Sequence, residues 1–165
     1  MSGMTRIGLI AILLFACVGC DQVSKHVVRQ HVAVGQVESY AGDTFRLTHA
    51  RNPGAFLSLG ADLPHGLRVA AFQGGVAAVV LGLLAWAAFA RRVTLSSVVG
   101  LSLLAASGLG NLIDRLAFDG VVTDFLNLGF GAVRTGVFNL ADVFGLVGVT
   151  LLVLGRERPA GAGVP

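Results

Sequence analysis

Asn111-Leu112-Ile113-Asp114 and Asn139-Leu140-Ala141-Asp142 each set an amide and a carboxyl three residues apart, on one face of a helix. Asp124 stands 18 residues before Asp142, within Val122-Thr123-Asp124-Phe125, far enough away for the linker to fold back and bring the two carboxyls together. Two neighbouring carboxyls do not both ionise easily, so one keeps its proton near neutral pH. The ionised member can then activate water while the protonated one polarises a peptide carbonyl. Other chemistries lack their parts. A serine hydrolase needs a nucleophile with a histidine base, and the four histidines (26, 31, 49 and 65) fall in one segment without metal-ligand spacing. There is no glycine-rich phosphate loop after a strand, and neither a metal nor a cofactor is expected.

Each of these residues also has a structural reading. Asp142 opens an apolar run and can cap a helix, complementing its dipole. Asp124 can be a loop residue, Asp114-Arg115 an ion pair, and Asn52 before Pro53-Gly54 a turn former. From the pattern alone, both a proton relay and an aspartyl hydrolase remain open.

The elements that would position these groups are membrane helices. Of 165 residues, 55% are hydrophobic and only 13% charged, well outside the averages for soluble domains. The net charge of +3 is scattered, with no basic stripe, so no nucleic-acid partner is expected. Residues 7–20 form an apolar run of 14, short of the roughly 17 to 25 needed for a span. Leu14-Phe15-Ala16-Cys17 could belong to a cleaved lipoprotein signal. Alternatively the helix continues to residue 28, placing Asp21 and Lys25 four apart with the acid first, the favourable order. The retained span is the expectation, since further spans follow at 67–90, 95–113 and 137–154. Cys17 and Cys20 lack the context of a redox or zinc motif and read as small apolar fillers.

Within 31–65, Val37-Glu38-Ser39-Tyr40 and Thr44-Phe45-Arg46-Leu47-Thr48 alternate roughly in period two around Ala41-Gly42-Asp43, and with a third short stretch at 55–59 they predict an antiparallel sheet lying on the membrane surface. Residues 115–135 are expected to be a connecting segment on the same side. Arg91-Arg92 lies in a very short loop and shares its side with Arg6, Arg156 and Arg158. By the positive-inside rule both termini are then cytoplasmic. The expected fold is an all-α polytopic membrane protein, one domain over 1–165, with four transmembrane helices and a small extracytoplasmic antiparallel β cradle. Asp21, Asp114, Asp124 and Asp142 collect at its outer face. A proton-coupled carrier would want polar groups at mid-membrane and repeat symmetry. A lipid-anchored assembly protein would carry an acylated Cys17.

Five motifs in order resemble those of the lipoprotein signal peptidases, the bacterial signal peptidase II family of intramembrane aspartic proteases. They are Asp21-Gln22-x-Ser24-Lys25, Asn52-x-Gly54-Ala55, Gly110-Asn111-Leu112-Ile113-Asp114-Arg115, Val122-x-Asp124-Phe125 and Phe138-Asn139-x-Ala141-Asp142. The resemblance implies a catalytic dyad of Asp124 and Asp142 that cleaves before a diacylglyceryl-modified cysteine. It implies that Asn52, Gly54, Asn111, Asp114, Arg115, Asn139 and Ala141 shape the substrate groove, and that Asp21 and Lys25 support the first span and the site. The partners implied are diacylglyceryl-modified prolipoproteins and membrane lipids, met by a monomer in the bacterial inner membrane. One departure is Phe56 before Leu57, where the family has a small residue and then an aromatic.

Overall fold

The structure is a computed structural model that describes residues 1–54, 62–91 and 93–155. The elements follow in the order α1 (Gly3–His31), β1 (Val37–Tyr40), β2 (Phe45–Asn52), α2 (His65–Val69), α3 (Val76–Phe89), α4 (Leu95–Ala117), β3 (Val122–Phe130), β4 (Val133–Arg134) and α5 (Leu140–Leu154). A π-helical segment, Ala70–Gly75, joins α2 to α3, so that Gly66–Phe89 continues as one helical rod. Side chains start α1, α4 and α5: Ser2 accepts from the Thr5 N–H, Thr94 from Ser97 and Asn139 from Asp142, each satisfying a donor left free in a first turn.

The polarity of the bundle is inverted relative to a protein in water. Ile12, Phe15, Leu81, Phe89, Leu146 and Val153 are exposed, while Asp21, Lys25, Asp114 and Asn139 are completely buried. Water would penalise both features, and a hydrocarbon surround accounts for both. Three helical rods among the described residues are long and apolar enough to cross a membrane: Gly3–His31, Gly66–Phe89 and Leu95–Ala117. The first and third run further than the expected 7–28 and 95–113. The fourth helix, Leu140–Leu154, starts later than the expected span of 137–154. Val137 and Phe138 are not helical, Phe138 being bridged to Leu126. The helix that remains has 15 residues, about 22 Å.

α4 is the shared wall of the bundle, with α1, α3 and α5 all packed on it. Small residues bring α4 and α5 together: a Cβ at Gly100 would stand 2.9 Å from the Gly148 carbonyl oxygen. Such close approach is how helices associate where lipid removes the hydrophobic driving force.

The sheet is antiparallel throughout, in the order β1-β2-β3-β4. Its first hairpin turns through Ala41, Gly42 and Asp43, all at positive φ. The sheet differs from the expectation in its second half. Residues 115–135 are not a separate connection but the end of α4 followed by two strands, and β3 pairs with β2. The 55–59 stretch and Phe56-Leu57 lie outside the described residues, as do Arg92, Arg156 and Arg158. The sheet docks where α1 and α4 end and α5 begins, through Val28, Val32 and Phe125 with Leu47, Leu126 and Leu140. At the opposite end of the bundle Arg6 donates to the carbonyls of Ala88 and Ala90.

Candidate active site

α5 begins in a capping box. The Asn139 side-chain oxygen accepts from the Asp142 N–H at 3.1 Å, and the Asp142 carboxylate accepts from the Asn139 N–H at 3.0 Å. Asp142 is therefore both a cap and a carboxylate fixed in orientation at a helix N-terminus. The neighbouring Ala141 N–H is satisfied from another helix, by Asp21 Oδ1 of α1 at 2.9 Å.

Asp124 comes from β3 and is buried. A bulge in β2 between Leu47 and Ala50 sets Ala50 opposite Asp124 and Asn52 opposite Val122, so Asn52 and Asp124 are diagonal neighbours across the strand pair. Asn52 Nδ2 donates to Asp124 Oδ2 at 2.9 Å, and Asn139 Nδ2 to Asp124 Oδ1 at 2.6 Å. Burial pushes the Asp124 carboxyl up to about 6, the nearby Asp142 carboxylate adds to the rise, and the amides of Asn52 and Asn139 oppose it. Asp124 therefore holds its proton well above the ordinary carboxylate range.

Asn111 of α4 joins the two carboxyls. Its oxygen accepts from Lys25 Nζ (2.9 Å) and Asn139 Nδ2 (3.0 Å), and its amide donates to Asp142 Oδ1 at 3.1 Å. Lys25 can only donate, and this fixes which way the amide faces. Lys25 is itself completely buried, 2.8 Å from Asp21 and 3.5 Å from Asp114. Asp114 also accepts from the Thr123 N–H at 2.9 Å, tying α4 to the residue beside Asp124. Thus Asp21, Lys25, Asn52, Asn111, Asp114, Asp124, Asn139, Ala141 and Asp142 are one connected assembly.

Arg115 departs from the expected pairing with Asp114. Adjacent residues on a helix do not face each other, and among the described residues Asp114 meets Lys25 and Arg29 instead. Arg115 donates to the carbonyls of Gly54 (2.7 Å) and Asn111 (3.1 Å), with its guanidinium over Phe72 of the π-helical segment. It thereby anchors the end of the chain that leaves β2, where Gly54 also donates to Asn52 Oδ1.

Three contributors were not named as site residues from the sequence. Gln22 donates to Asp21, to Asp114 and to the Gly110 carbonyl, and Arg29 donates to Thr123 Oγ1. Gly110 is required by close approach, because a Cβ there would stand 2.7 Å from Asp21 Oδ2 and 3.3 Å from Ala141 Cβ. Gln22 and Gly110 lie inside the quoted motifs, so a signal existed. Arg29 gave none beyond its spacing of one turn from Lys25.

An apolar cavity of about 300 Å³ opens beside Asp142, between the segment that follows β4 and the first turns of α5. The arrangement thus offers two carboxyls bridged by amides, one shifted toward its neutral form, next to a hydrocarbon-lined recess. Such a pair can transfer protons to and from water and a carbonyl group.

Residues 13–156 match the family model described as signal peptidase (SPase) II. The chain is 31% identical over 148 residues to a lipoprotein signal peptidase of Borrelia hermsii, covering 87% of this chain and 86% of that one. It is 30% identical over 151 residues to a lipoprotein signal peptidase of Streptococcus pneumoniae, covering 92% and 94%. Two solved structures of a bacterial membrane enzyme share its fold, each with a TM-score of 0.79. One is 24% identical, covering 94% of this chain and 95% of its own, and the other 25% identical, covering 93% and 96%.

Proposed function

The chain belongs to the signal peptidase II family, and on that premise we propose that Asp124 and Asp142 are the catalytic pair with which it removes signal peptides from prolipoproteins. The observation that carries this reading is the amide bridge. Asn139 and Asn111 bind both carboxyls and one another, which holds the pair at a fixed spacing.

In this mechanism Asp124 enters protonated and donates to the oxygen of the scissile carbonyl. Asp142 takes a proton from a water whose oxygen adds to the carbonyl carbon, giving a tetrahedral diol. On collapse the C–N bond breaks, the proton held by Asp142 passes to the leaving nitrogen, and Asp124 recovers its own from the diol. Asn52, Asn111 and Asn139 hold the carboxyls, and Lys25 holds Asn111. Arg115, through the Gly54 and Asn111 carbonyls, fixes the chain that borders them.

The leaving nitrogen belongs to a diacylglyceryl-modified cysteine, and α5 is the fourth span despite its length. Both termini face the cytoplasm and the sheet lies on the outer face of the inner membrane, so the substrate reaches the pair from within the bilayer. The enzyme acts as a monomer on this substrate. Support comes from the sheet and pair lying at one end of the bundle and Arg6 and Arg91 lying toward the other. A cleavage assay in proteoliposomes, with diacylated and non-acylated forms of one precursor, tests the reading. Cleavage confined to the acylated form is expected. Equal cleavage of both would contradict the lipid requirement.

A further inference from the structure

The cavity beside Asp142 is not used by the proton chemistry. Its walls are Leu128 and residues 135–138 on one side and Asp142, Val143 and Leu146 on the other. Of these Asp142 is the one charged residue, so whatever fills the recess is apolar along its length and lies close to the reacting bond.

We propose that this cavity is the subsite for one acyl chain of the diacylglyceryl group on the cysteine that follows the scissile bond. The inference rests on the peptidase reading given above and names a part of that substrate which the carboxyl pair does not touch.

Three observations favour a hydrocarbon chain over the signal peptide itself. The first is size: about 300 Å³ would hold less than one turn of a helix about 10 to 12 Å across. The second is the lining. The Thr135 N–H donates to the Leu128 carbonyl, the Leu128 N–H to Thr135 Oγ1, and the Phe138 carbonyl accepts from both Phe125 and Leu126. The backbone groups of Leu128 and Phe138 named here are already paired, so an extended peptide pressed against that part of the wall would leave its own N–H and C=O groups without partners there, whereas a hydrocarbon chain has none to satisfy. The third is continuity with the bilayer. Leu146, at the lower wall, is 69% exposed, and Val149, Val153 and Leu154 continue an exposed apolar strip along α5. A chain attached to a lipid-embedded cysteine can therefore enter from the bilayer without crossing water.

The chain leaves one hydrocarbon medium for another, so little transfer energy is gained. The subsite acts by placement: a chain seated against Val143 and Leu146 sets the cysteine's amide at Asp142, one helical turn away.

The test uses the full-length protein in proteoliposomes and one precursor whose cysteine carries long (hexadecanoyl) or short (butanoyl) chains. The readout is the ratio of kcat/KM for the long-chain to the short-chain substrate. For the unmodified protein a ratio of about ten is expected, the scale on which misplacement of a bound substrate is felt. Val143→Phe and Leu146→Trp, which fill the recess, are each expected to bring the ratio down to about one. A ratio near one in the unmodified protein, or one that both variants leave unchanged, would overturn the proposal. A photoreactive group near the end of the long chain provides a readout independent of folding in the variants. Cross-links to Leu128, Val143 or Leu146 are expected, and cross-links confined to α1 or α3 would overturn it. If the unmodified protein cleaves neither precursor, the peptidase reading fails rather than the subsite.

Discussion

Two ion-pair clusters in this molecule look alike on paper and do different work. At the first hairpin of the sheet, Arg46 grips Asp43 through Nε and Nη2, both at 2.6 Å, and Arg134 approaches the same carboxylate at 3.4 Å. Under the site, Lys25 meets Asp21 at 2.8 Å and Asp114 at 3.5 Å. The hairpin pair has the better geometry, and the Arg46 guanidinium holds the Asp43 carboxyl well below the ordinary range. Yet it is solvated, with Arg46 34% and Asp43 39% exposed, whereas Asp21, Lys25 and Asp114 are entirely enclosed. Water and counterions screen the first pair, so its contribution is small. In the second, loss of Lys25 strands Asp21 and leaves Asp114 only the longer approach of Arg29 at 3.7 Å, in a medium that cannot solvate them.

Lys25→Met should therefore have the larger effect. It leaves Asp21 and Asp114 buried without their common cation, which is expected to cost about 3 to 5 kcal/mol. It also frees Asn111 to turn, so cleavage falls with stability. Thermal unfolding in detergent measures the first effect, and adding Asp114→Asn to Lys25→Met should recover part of the loss. No recovery would mean that the cluster is not held together by its charge balance.

Gly110→Ala probes the same cluster by volume. Its new Cβ would meet Asp21 Oδ2 and Ala141 Cβ, and an overpacking cost of about 1 to 3 kcal/mol is expected, with reduced cleavage because Asp21 caps the helix that carries Asp142. An unchanged melting temperature would show that the α1–α5 contact has slack.

Asn52→Leu is a milder change, read through pH. The Asn52 amide stabilises the ionised form of Asp124, so its loss raises that carboxyl's pKa further. In the proposed mechanism Asp124 acts in its protonated form, so kcat/KM is expected to fall as pH rises through its pKa, about 6 in the free enzyme. The variant's alkaline limb should therefore move to higher pH. A shift to lower pH would reverse the assigned role of Asp124.

Asp43→Asn should do least. Melting temperature and cleavage are expected to remain within assay scatter, and a loss comparable to that of Lys25→Met would erase the distinction between the two clusters.

The sequence made the buried cluster more legible than the sheet. Asp21 and Lys25 are four apart with the acid first, a local relation that needs no tertiary knowledge. The Asn139–Asp142 cap is equally local, and the cap reading of Asp142 is met in the structure. The sheet was harder to read because its inside is polar: on β3, Asn127 is buried and Leu128 is 43% exposed, the reverse of the usual alternation, and residues 122–125 are all buried. No period-two pattern survives that. The bulge that aligns Asn52 with Asp124 and the turn of Arg115 toward Gly54 are set by contacts between distant segments, which spacing along the chain does not encode.

The central claim is that Asp124 and Asp142 work as a pair, and its most direct measurement is the cleavage rate of Asp124→Asn and Asp142→Asn on a diacylated precursor in proteoliposomes. Each change keeps the side chain's size while removing a carboxyl. The account predicts that each variant inserts and folds normally yet loses at least about a thousandfold in rate, the scale on which acid–base groups that act as a unit are felt. A folded variant of either kind that cleaves at near-normal rate would contradict it.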